Sequence, residues 1–228
     1  MKHKTILDQM TLADKVALCS GADFFTTKAF KKFGIPGIRL ADGPHGIRVQ
    51  LASADHLGVH ASQPATCFPL ACLSACSWDR DLLKEVGAAI GREAQAAGVA
   101  VILGPGVNLK RNPLCGRNFE YFSEDPLLAG ELASAWIDGL QGQGVGASLK
   151  HFAANNQESE RMSSDSLVDE RALRELYLPA FEIAVKKARP ASVMCAYNRL
   201  NGLYLEFLVG VKFELHVRWS LCDTARRG

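Results

Sequence analysis

The apolar stretch "VAVILGPGVNL", residues 99–109, indicates the fold most directly. The part at 99–104 is continuously apolar and ends at a glycine and a proline, which is typical of a strand buried in a parallel sheet. Directly afterwards, "LCGRNFEYFSEDP" at 114–126 crowds charged side chains between aromatic rings. We interpret the first stretch as a central strand and the second as the loop that follows its carboxyl end.

Helical and apolar stretches alternate on both sides of this strand. Helical spacing and end signals, among them Thr11, Ser123 and Asp169 at starts and Gly98 at an end, predict helices at 11–21, 78–98, 124–140 and 170–188. Apolar runs predict further strands at 37–42, 69–75, 147–152 and 191–198. About five strands separated by helices indicate an α/β protein with a parallel sheet.

Polar residues follow several of these strands at their carboxyl ends. Asp42 follows the strand at 37–42, Lys150 and His151 end the strand at 147–152, and Tyr197 and Asn198 follow the last strand. Ligands of parallel α/β folds bind at this edge of the sheet. We therefore expect these side chains to face a common ligand.

Each candidate also has a plainer interpretation. Asp42, in the tight turn "ADGPHG", either accepts hydrogen bonds from ligand hydroxyl groups or caps its own backbone. Lys150 and His151 are neighbours on a strand and face opposite ways unless the strand ends or bulges there. Arg117 presents five donors in a turn among aromatic rings, and Glu120 is close enough in sequence to pair with it.

Two further kinds of residue remain ambiguous. Arg161 lies in a polar loop, where most arginines are simply solvated. Glu124 and Asp125 precede Pro126, and acidic residues with a proline are typical of a helix start. Both carboxylates therefore have a structural explanation as well as a catalytic one.

Composition excludes several classes of function. A net charge of +2 with 22% charged residues does not indicate binding to nucleic acid or to a membrane surface. No apolar run is long enough to span a bilayer, and the N-terminus lacks a signal-peptide core, so we expect a cytoplasmic protein. The odd number of cysteines, 7, fits a reducing compartment.

Motifs for cofactors are also missing. Cys67, Cys72 and Cys76 do not have zinc-ligand spacing, and we interpret them as small core residues. The glycine-rich stretches "GPGVN" and "GQGVGAS" do not follow a strand and open a helix, as a dinucleotide-binding loop must. The sequence predicts neither a metal nor a cofactor.

Four long motifs occur together, "RLADGPHGIR", "LGPGVNLKRNPLCGRNFEYFSEDPLLAG", "SLKHFAANNQESER" and "DERALRELYLPAFEIAV" with "ASVMCAYNRLNG". From about residue 5 to about 202 the chain closely resembles the N-terminal domain of glycoside hydrolase family three, in its bacterial β-glucosidase branch. The resemblance implies a (β/α)8 TIM-like barrel and a β-glucoside or related oligosaccharide as ligand. It also implies a set of substrate-binding residues: Asp42, Arg48, Arg117, Lys150, His151, Arg161 and Tyr197.

The end of the chain departs from the family pattern. In this family the nucleophile is an aspartate in an "S-D-W"-like strand end beyond the "YN" motif, and the acid/base comes from a later domain. Residues 203–228 do not resemble the family, and 211–219 alternate as a half-exposed antiparallel strand does. We therefore expect an incomplete barrel domain at 1–202, an aberrant tail at 203–228, and a truncated or frame-shifted product.

Three functions remain open at this point. The first is a β-glucosidase-like retaining hydrolase whose fragment lacks both catalytic carboxylates and is inactive alone. The second is a non-catalytic sugar-binding or scaffold fragment. The third is an enzyme completed by a complementing chain, since an incomplete barrel leaves edges at which the chain could also self-associate.

Overall fold

Four short parallel strands form the centre of the molecule. A computed structural model describes residues 3–50 and 61–205 of the 228-residue chain. In these residues the α-helices are α1 (Lys4–Gln9), α2 (Leu12–Leu18), α3 (Ala71–Ser74), α4 (Arg80–Ala96), α5 (Pro126–Gln141), α6 (Glu170–Ala172) and α7 (Pro179–Ala188). The strands are β1 (Leu40–Ala41), β2 (Val101–Ile102), β3 (Gly146–Phe152), β4 (Asp165–Ser166), β5 (Ser192–Cys195), β6 (Arg199–Leu200) and β7 (Leu203–Tyr204).

The main sheet has the order β1-β2-β3-β5, and every neighbouring pair is parallel. Its strands are consecutive in the chain apart from β4, which belongs to a second sheet with β6 and β7. The main sheet does not close on itself within the described residues. This is the arrangement of one sector of a TIM-like barrel, which confirms the predicted α/β class.

Long helices α4, α5 and α7 connect and cover these strands. The backbones of α4 and α5 approach closely, since a Cβ built on Gly87 would lie 2.1 Å from the Trp136 carbonyl oxygen. Behind them the core contains fully buried side chains such as Ile90, Ile102 and Leu149. Burial of these apolar side chains stabilises the sheet, in which β1 and β2 are only two residues long.

The prediction of a strand at 69–75 is wrong. This segment forms α3 and a following 3₁₀ turn at Ala75–Ser77, so the described main sheet has four parallel strands instead of about five. The segment has no β-branched residue, and its alanines and leucines favour a helix. The interpretation of Cys67, Cys72 and Cys76 as core residues is also wrong, because Cys67 and Cys76 are exposed and Cys72 is only partly buried.

Helix ends follow the predicted signals with one correction. Thr11 caps α2, Asp169 caps α6 and Gly98 adopts a left-handed conformation after α4, as predicted. The cap of α5 is Asp125 rather than Ser123, because the Asp125 carboxylate accepts a hydrogen bond from the Leu127 backbone N–H at 2.8 Å. Proline at the first helical position fixes the start of this helix.

The small second sheet carries the chain beyond the last main strand. Strand β6 pairs in parallel with β4 and antiparallel with β7, and Leu205 beyond β7 is buried. The predicted alternating segment at 211–219 lies outside the described residues, so the boundary at 202 stays a prediction. No helix in the described parts is both long and apolar enough to span a membrane.

Candidate functional site

The carboxyl edge of the main sheet brings three chain segments together. Gly106, just beyond β2, bridges to both Tyr121 and Lys150. Its lack of a side chain is required, because a Cβ at this position would lie 2.9 Å from the Tyr121 ring. The loop that carries Arg117 and Glu120 is thereby held against the end of β3.

Glu120 is a buried carboxylate between two cations. Its Oε2 lies 3.3 Å from the Lys150 ammonium nitrogen, and its Oε1 accepts a hydrogen bond from Arg117 Nε. Glu120 is 5% exposed and Lys150 is 4% exposed. Burial acts to raise the pKa of Glu120, but Lys150 and Arg117 outweigh it and hold that pKa below its ordinary value. The carboxylate therefore stays ionised and orients both donors.

Glu158 is a second carboxylate beside the first. Its Oε2 lies 3.1 Å from Arg161 Nη1, its Oε1 accepts a hydrogen bond from Asn155 Nδ2 at 2.9 Å, and the same Oε1 is 3.9 Å from Arg117 Nε. The Arg161 guanidinium lies over the Tyr197 ring, 5.1 Å from its centroid. The half-exposed Tyr197 ring is thus linked to the cluster through a cation–π contact.

His151 is buried and held by its backbone and its ring. Its backbone N–H donates to Asn108 Oδ1 at 2.8 Å, and its carbonyl accepts from Asn108 Nδ2 at 2.9 Å. Its ring Nδ1 is 3.0 Å from the Tyr121 hydroxyl, which also accepts a hydrogen bond from Asn155 at 3.2 Å. Burial, together with Arg117 and Lys150, lowers the pKa of His151 well below its ordinary value, so the ring is neutral.

The pairing of β3 with β5 is irregular between Leu149 and Phe152. Lys150 and His151 are expected to face opposite ways unless the strand ends or bulges there, and this shift in register meets that condition. Both side chains reach partners in one loop, since Lys150 contacts Glu120 and His151 contacts Tyr121.

Asp42 and Arg48 form a separate pair after β1. The Asp42 Oδ2 lies 3.3 Å from Arg48 Nη2, and the intervening turn needs glycine at position 43, where φ is 114°. The carboxylate thus pairs with Arg48 rather than capping the turn. His45, in the same turn, lies close enough to Glu120 and Lys150 to interact with both charges, and burial lowers its pKa to about 4.

The structure therefore unites five of the seven predicted site residues in one contact network: Arg117, Lys150, His151, Arg161 and Tyr197. It leaves Asp42 and Arg48 as a neighbouring pair connected to the network through the turn that carries His45. Sequence reasoning missed Asn108, Tyr121 and Asn155 as parts of the network. The signal that could have indicated Asn108 is its position as a polar residue inside an apolar run.

The network can bind a neutral, hydroxyl-rich ligand. It offers guanidinium, ammonium and imidazole donors, while Asp42 offers an acceptor. Within the described residues no group of three or more histidine, cysteine or acidic side chains is arranged to hold a metal ion. The chemistry of the side chains present is hydrogen bonding and charge stabilisation.

Comparison with known proteins shows which family has a similar sequence. Residues 35–206 match the N-terminal domain of glycosyl hydrolase family 3. The chain is 62% identical over 201 residues to thermostable β-glucosidase B of Acetivibrio thermocellus, covering 88% of this chain and 27% of that protein. It is 54% identical over 218 residues to an exo-α-(1→6)-L-arabinopyranosidase of Bifidobacterium breve, covering 95% of this chain and 28% of that protein.

A solved structure shares the fold. β-Glucosidase 3B of Thermotoga neapolitana, in complex with glucose, superposes with a TM-score of 0.87 at 46% identity, over 96% of this chain and 33% of that one. The chain thus spans about a quarter to a third of the relatives it matches. The region that matches the family, residues 35–206, exceeds half of the chain. The partial barrel of this chain superposes on the corresponding part of the solved relative. The chain belongs to glycosyl hydrolase family 3.

Proposed function

We propose that the network at the carboxyl edge binds the terminal sugar ring of a β-glucoside, as the binding half of a retaining β-glucosidase site. Relatives that are 62% and 49% identical to this chain are named β-glucosidases, and solved relatives include complexes with glucose. The substrate-binding residues would be those that the sequence indicated: Asp42, Arg48, Arg117, Lys150, His151, Arg161 and Tyr197.

One observation carries this proposal, namely that separate segments of the chain supply fixed donors to one place. Glu120 holds Arg117 and Lys150, while Glu158 holds Arg161. A pyranose ring presents several hydroxyl groups in fixed directions, so donors held in advance bind it with less loss of side-chain entropy. Three cations against these two carboxylates leave the network net positive, which would keep a nearby nucleophilic carboxylate ionised.

We also propose that this chain alone does not cleave glycosides. Retaining hydrolysis needs one carboxylate as nucleophile and a second carboxyl group that donates a proton to the leaving group. At the described edge, Asp42, Glu120 and Glu158 are each paired with a cation. The lowered pKa of Glu120 is opposite to what a proton donor requires. A complementing chain that supplies both groups is the alternative.

Calorimetry of the 228-residue chain with glucose tests the binding proposal. Asp42→Ala is expected to weaken glucose binding by about 10- to 100-fold, because a hydrogen bond to a charged group is worth about 1.5–3 kcal/mol. Asp138→Ala removes an exposed carboxylate from helix α5 and serves as the matched control. Equal affinity of the wild type and Asp42→Ala, or no binding by the wild type, would contradict the proposal.

A chromogenic assay with p-nitrophenyl β-D-glucopyranoside separates the catalytic alternatives. The purified chain is expected to release no p-nitrophenol. Turnover by this chain alone, removed by Asp42→Ala, would overturn the proposal of a binding half. Turnover that appears only after addition of a longer family member bearing a substituted sugar-binding residue would instead identify complementation.

A further inference from the structure

A chain of hydrogen bonds connects Glu158 to the ring of His151. Asn155 Nδ2 lies 2.9 Å from Glu158 Oε1 and 3.2 Å from the Tyr121 hydroxyl oxygen, which is 3.0 Å from His151 Nδ1. Tyr121 is fully buried, and Asn155 and His151 are 4% and 5% exposed. Bulk water therefore cannot easily replace these partners, and each group must satisfy the next.

Glu158 fixes the direction of every bond in this chain. A carboxylate only accepts hydrogen bonds, so Asn155 must turn its amide nitrogen, not its oxygen, toward Glu158. The same nitrogen has a second hydrogen, which it donates to the Tyr121 oxygen. Because Asn155 can only donate there, the single hydroxyl hydrogen of Tyr121 has His151 Nδ1 as its acceptor; if the imidazole donated instead, this buried hydrogen would be left without an acceptor.

This order of donors determines where the imidazole carries its proton. Nδ1 accepts from Tyr121, so a neutral ring must be protonated at Nε2. Protonation at both nitrogens would remove the acceptor that Tyr121 needs and would place a third positive charge beside Arg117 and Lys150. His151 Nε2 has no hydrogen-bond partner among residues 3–50 and 61–205. It is not among the buried unpartnered atoms of those residues, so it is accessible from outside the protein.

We infer that Glu158, acting through Asn155 and Tyr121, sets His151 as the Nε2–H tautomer and so makes it a hydrogen-bond donor to the ligand. Glu158 and Asn155 are positioning residues, because they act on His151 through Tyr121 and do not themselves donate to the ligand. The identity of the ligand as a sugar rests on the proposed function. The tautomer does not, because it is inferred from hydrogen bonds within the protein alone.

Long-range ¹H–¹⁵N correlation spectra of the histidine side chains test this inference on the full chain without sugar. His151→Gln identifies the His151 signals. The wild type is expected to show a protonated Nε2 and an unprotonated Nδ1 at neutral pH. The opposite pattern, or a doubly protonated ring, would overturn the inference directly, whatever the variants do.

Asn155→Asp is expected to reverse the tautomer. The introduced carboxyl group accepts the Tyr121 hydrogen, the hydroxyl oxygen then accepts from the imidazole, and the His151 proton moves to Nδ1. Asn156→Asp is the matched control, because Asn156 donates to the Leu109 carbonyl at 2.6 Å outside this chain of bonds. A folded Asn155→Asp variant with an unchanged tautomer would refute the role of the relay.

Tyr121→Phe provides a second variant if Asn155→Asp does not fold. Loss of the hydroxyl removes the donor to Nδ1, so a mixture of both tautomers is expected, and an unmixed Nε2–H signal would count against the relay. Glucose calorimetry on Asn155→Asp should show binding at least tenfold weaker than in Asn156→Asp. A correct tautomer without glucose binding would reject the proposed function while leaving the relay intact.

Discussion

Glu120→Gln is the substitution that most directly tests how the site is built. Glutamine keeps the size of the side chain but removes the charge that Lys150 and Arg117 share. Lys150 is 4% exposed, so its ammonium group would remain buried without a carboxylate partner. The variant should therefore be less stable than the wild type, even though the number of heavy atoms is unchanged and the volume hardly changes.

The expected loss follows from burial. Breaking a buried ion pair by removing one partner costs about 3–5 kcal/mol. The lower end of this range applies here, because Arg117 retains a second carboxylate partner and its side chain is 20% exposed. Arg117 Nε lies 3.9 Å from Glu158 Oε1. With a urea slope of about 3 kcal/mol per molar, a loss of about 3 kcal/mol lowers the unfolding midpoint by about 1 M.

Helix α5 provides a matched control on the surface. Glu131 also bridges one arginine and one lysine, with its Oε2 3.2 Å from Arg80 Nη1 and its Oε1 bonded to Lys187. The side chains of Arg80 and Lys187 are 66% and 52% exposed. Glu131→Gln should cost less than about 1 kcal/mol, because solvent already screens these pairs.

Urea unfolding of both variants, followed by circular dichroism at neutral pH, measures the difference. Lys150→Met in the Glu120→Gln background should recover part of the loss, since it removes the uncompensated charge. Equal midpoints for Glu120→Gln and Glu131→Gln would contradict a buried Glu120–Lys150 pair. That result would mean that Glu120 and Lys150 are solvated in solution.

Two further predictions concern the opposite end of the sheet and the response to acid. Gln141→Met should lower the free energy of unfolding by roughly 2–4 kcal/mol in urea titrations. The Gln141 amide nitrogen donates to two carbonyls at the end of α7, and its oxygen accepts from backbone N–H groups near the starts of β3 and β5. An unchanged unfolding midpoint would contradict this prediction. The pKa of His45 is about 6.5 in the unfolded chain and about 4 in the folded protein. Its contribution to the free energy of unfolding is therefore complete above about pH 6.5 and is lost as the pH falls toward 4. The loss should amount to about 2–3 kcal/mol, and His45→Gln should flatten the stability profile in this window; parallel profiles for the two proteins would contradict it.

Local patterns in the sequence predicted most of the fold. The apolar runs at 99–104 and 147–152 became β2 and β3, and Thr11 and Asp169 cap helices as expected. The failure at 69–75 has a local cause too, because a short apolar run has no periodicity that separates a strand from a helix. Length and side-chain type are the remaining signals, and there the absence of β-branched residues favoured the helix.

The site was predictable only in part, because its order depends on distant contacts. The Arg117–Glu120 pair spans three residues, so sequence proximity predicted it. Asn108 and His151 are 43 residues apart, and Tyr121 and Asn155 are 34 apart. The parallel pairing of β2 with β3, and the bridges of Gly106 to Tyr121 and Lys150, bring such groups together. A single sequence contains no local pattern for that pairing of polar groups.

The buried Glu120 and the partly buried Glu158 are the structural basis for our proposal that this chain binds a sugar without cleaving it. A group that donates a proton in catalysis needs a raised pKa, which burial away from cations provides. Glu120 lies instead between Lys150 and Arg117, so its pKa is lowered, and it pairs with both of these side chains. Glu158 orders Arg161 directly and His151 through Asn155 and Tyr121. Folding thereby desolvates and orders the donors, so that in the proposed function a ligand would meet a surface whose hydrogen-bond directions are already set.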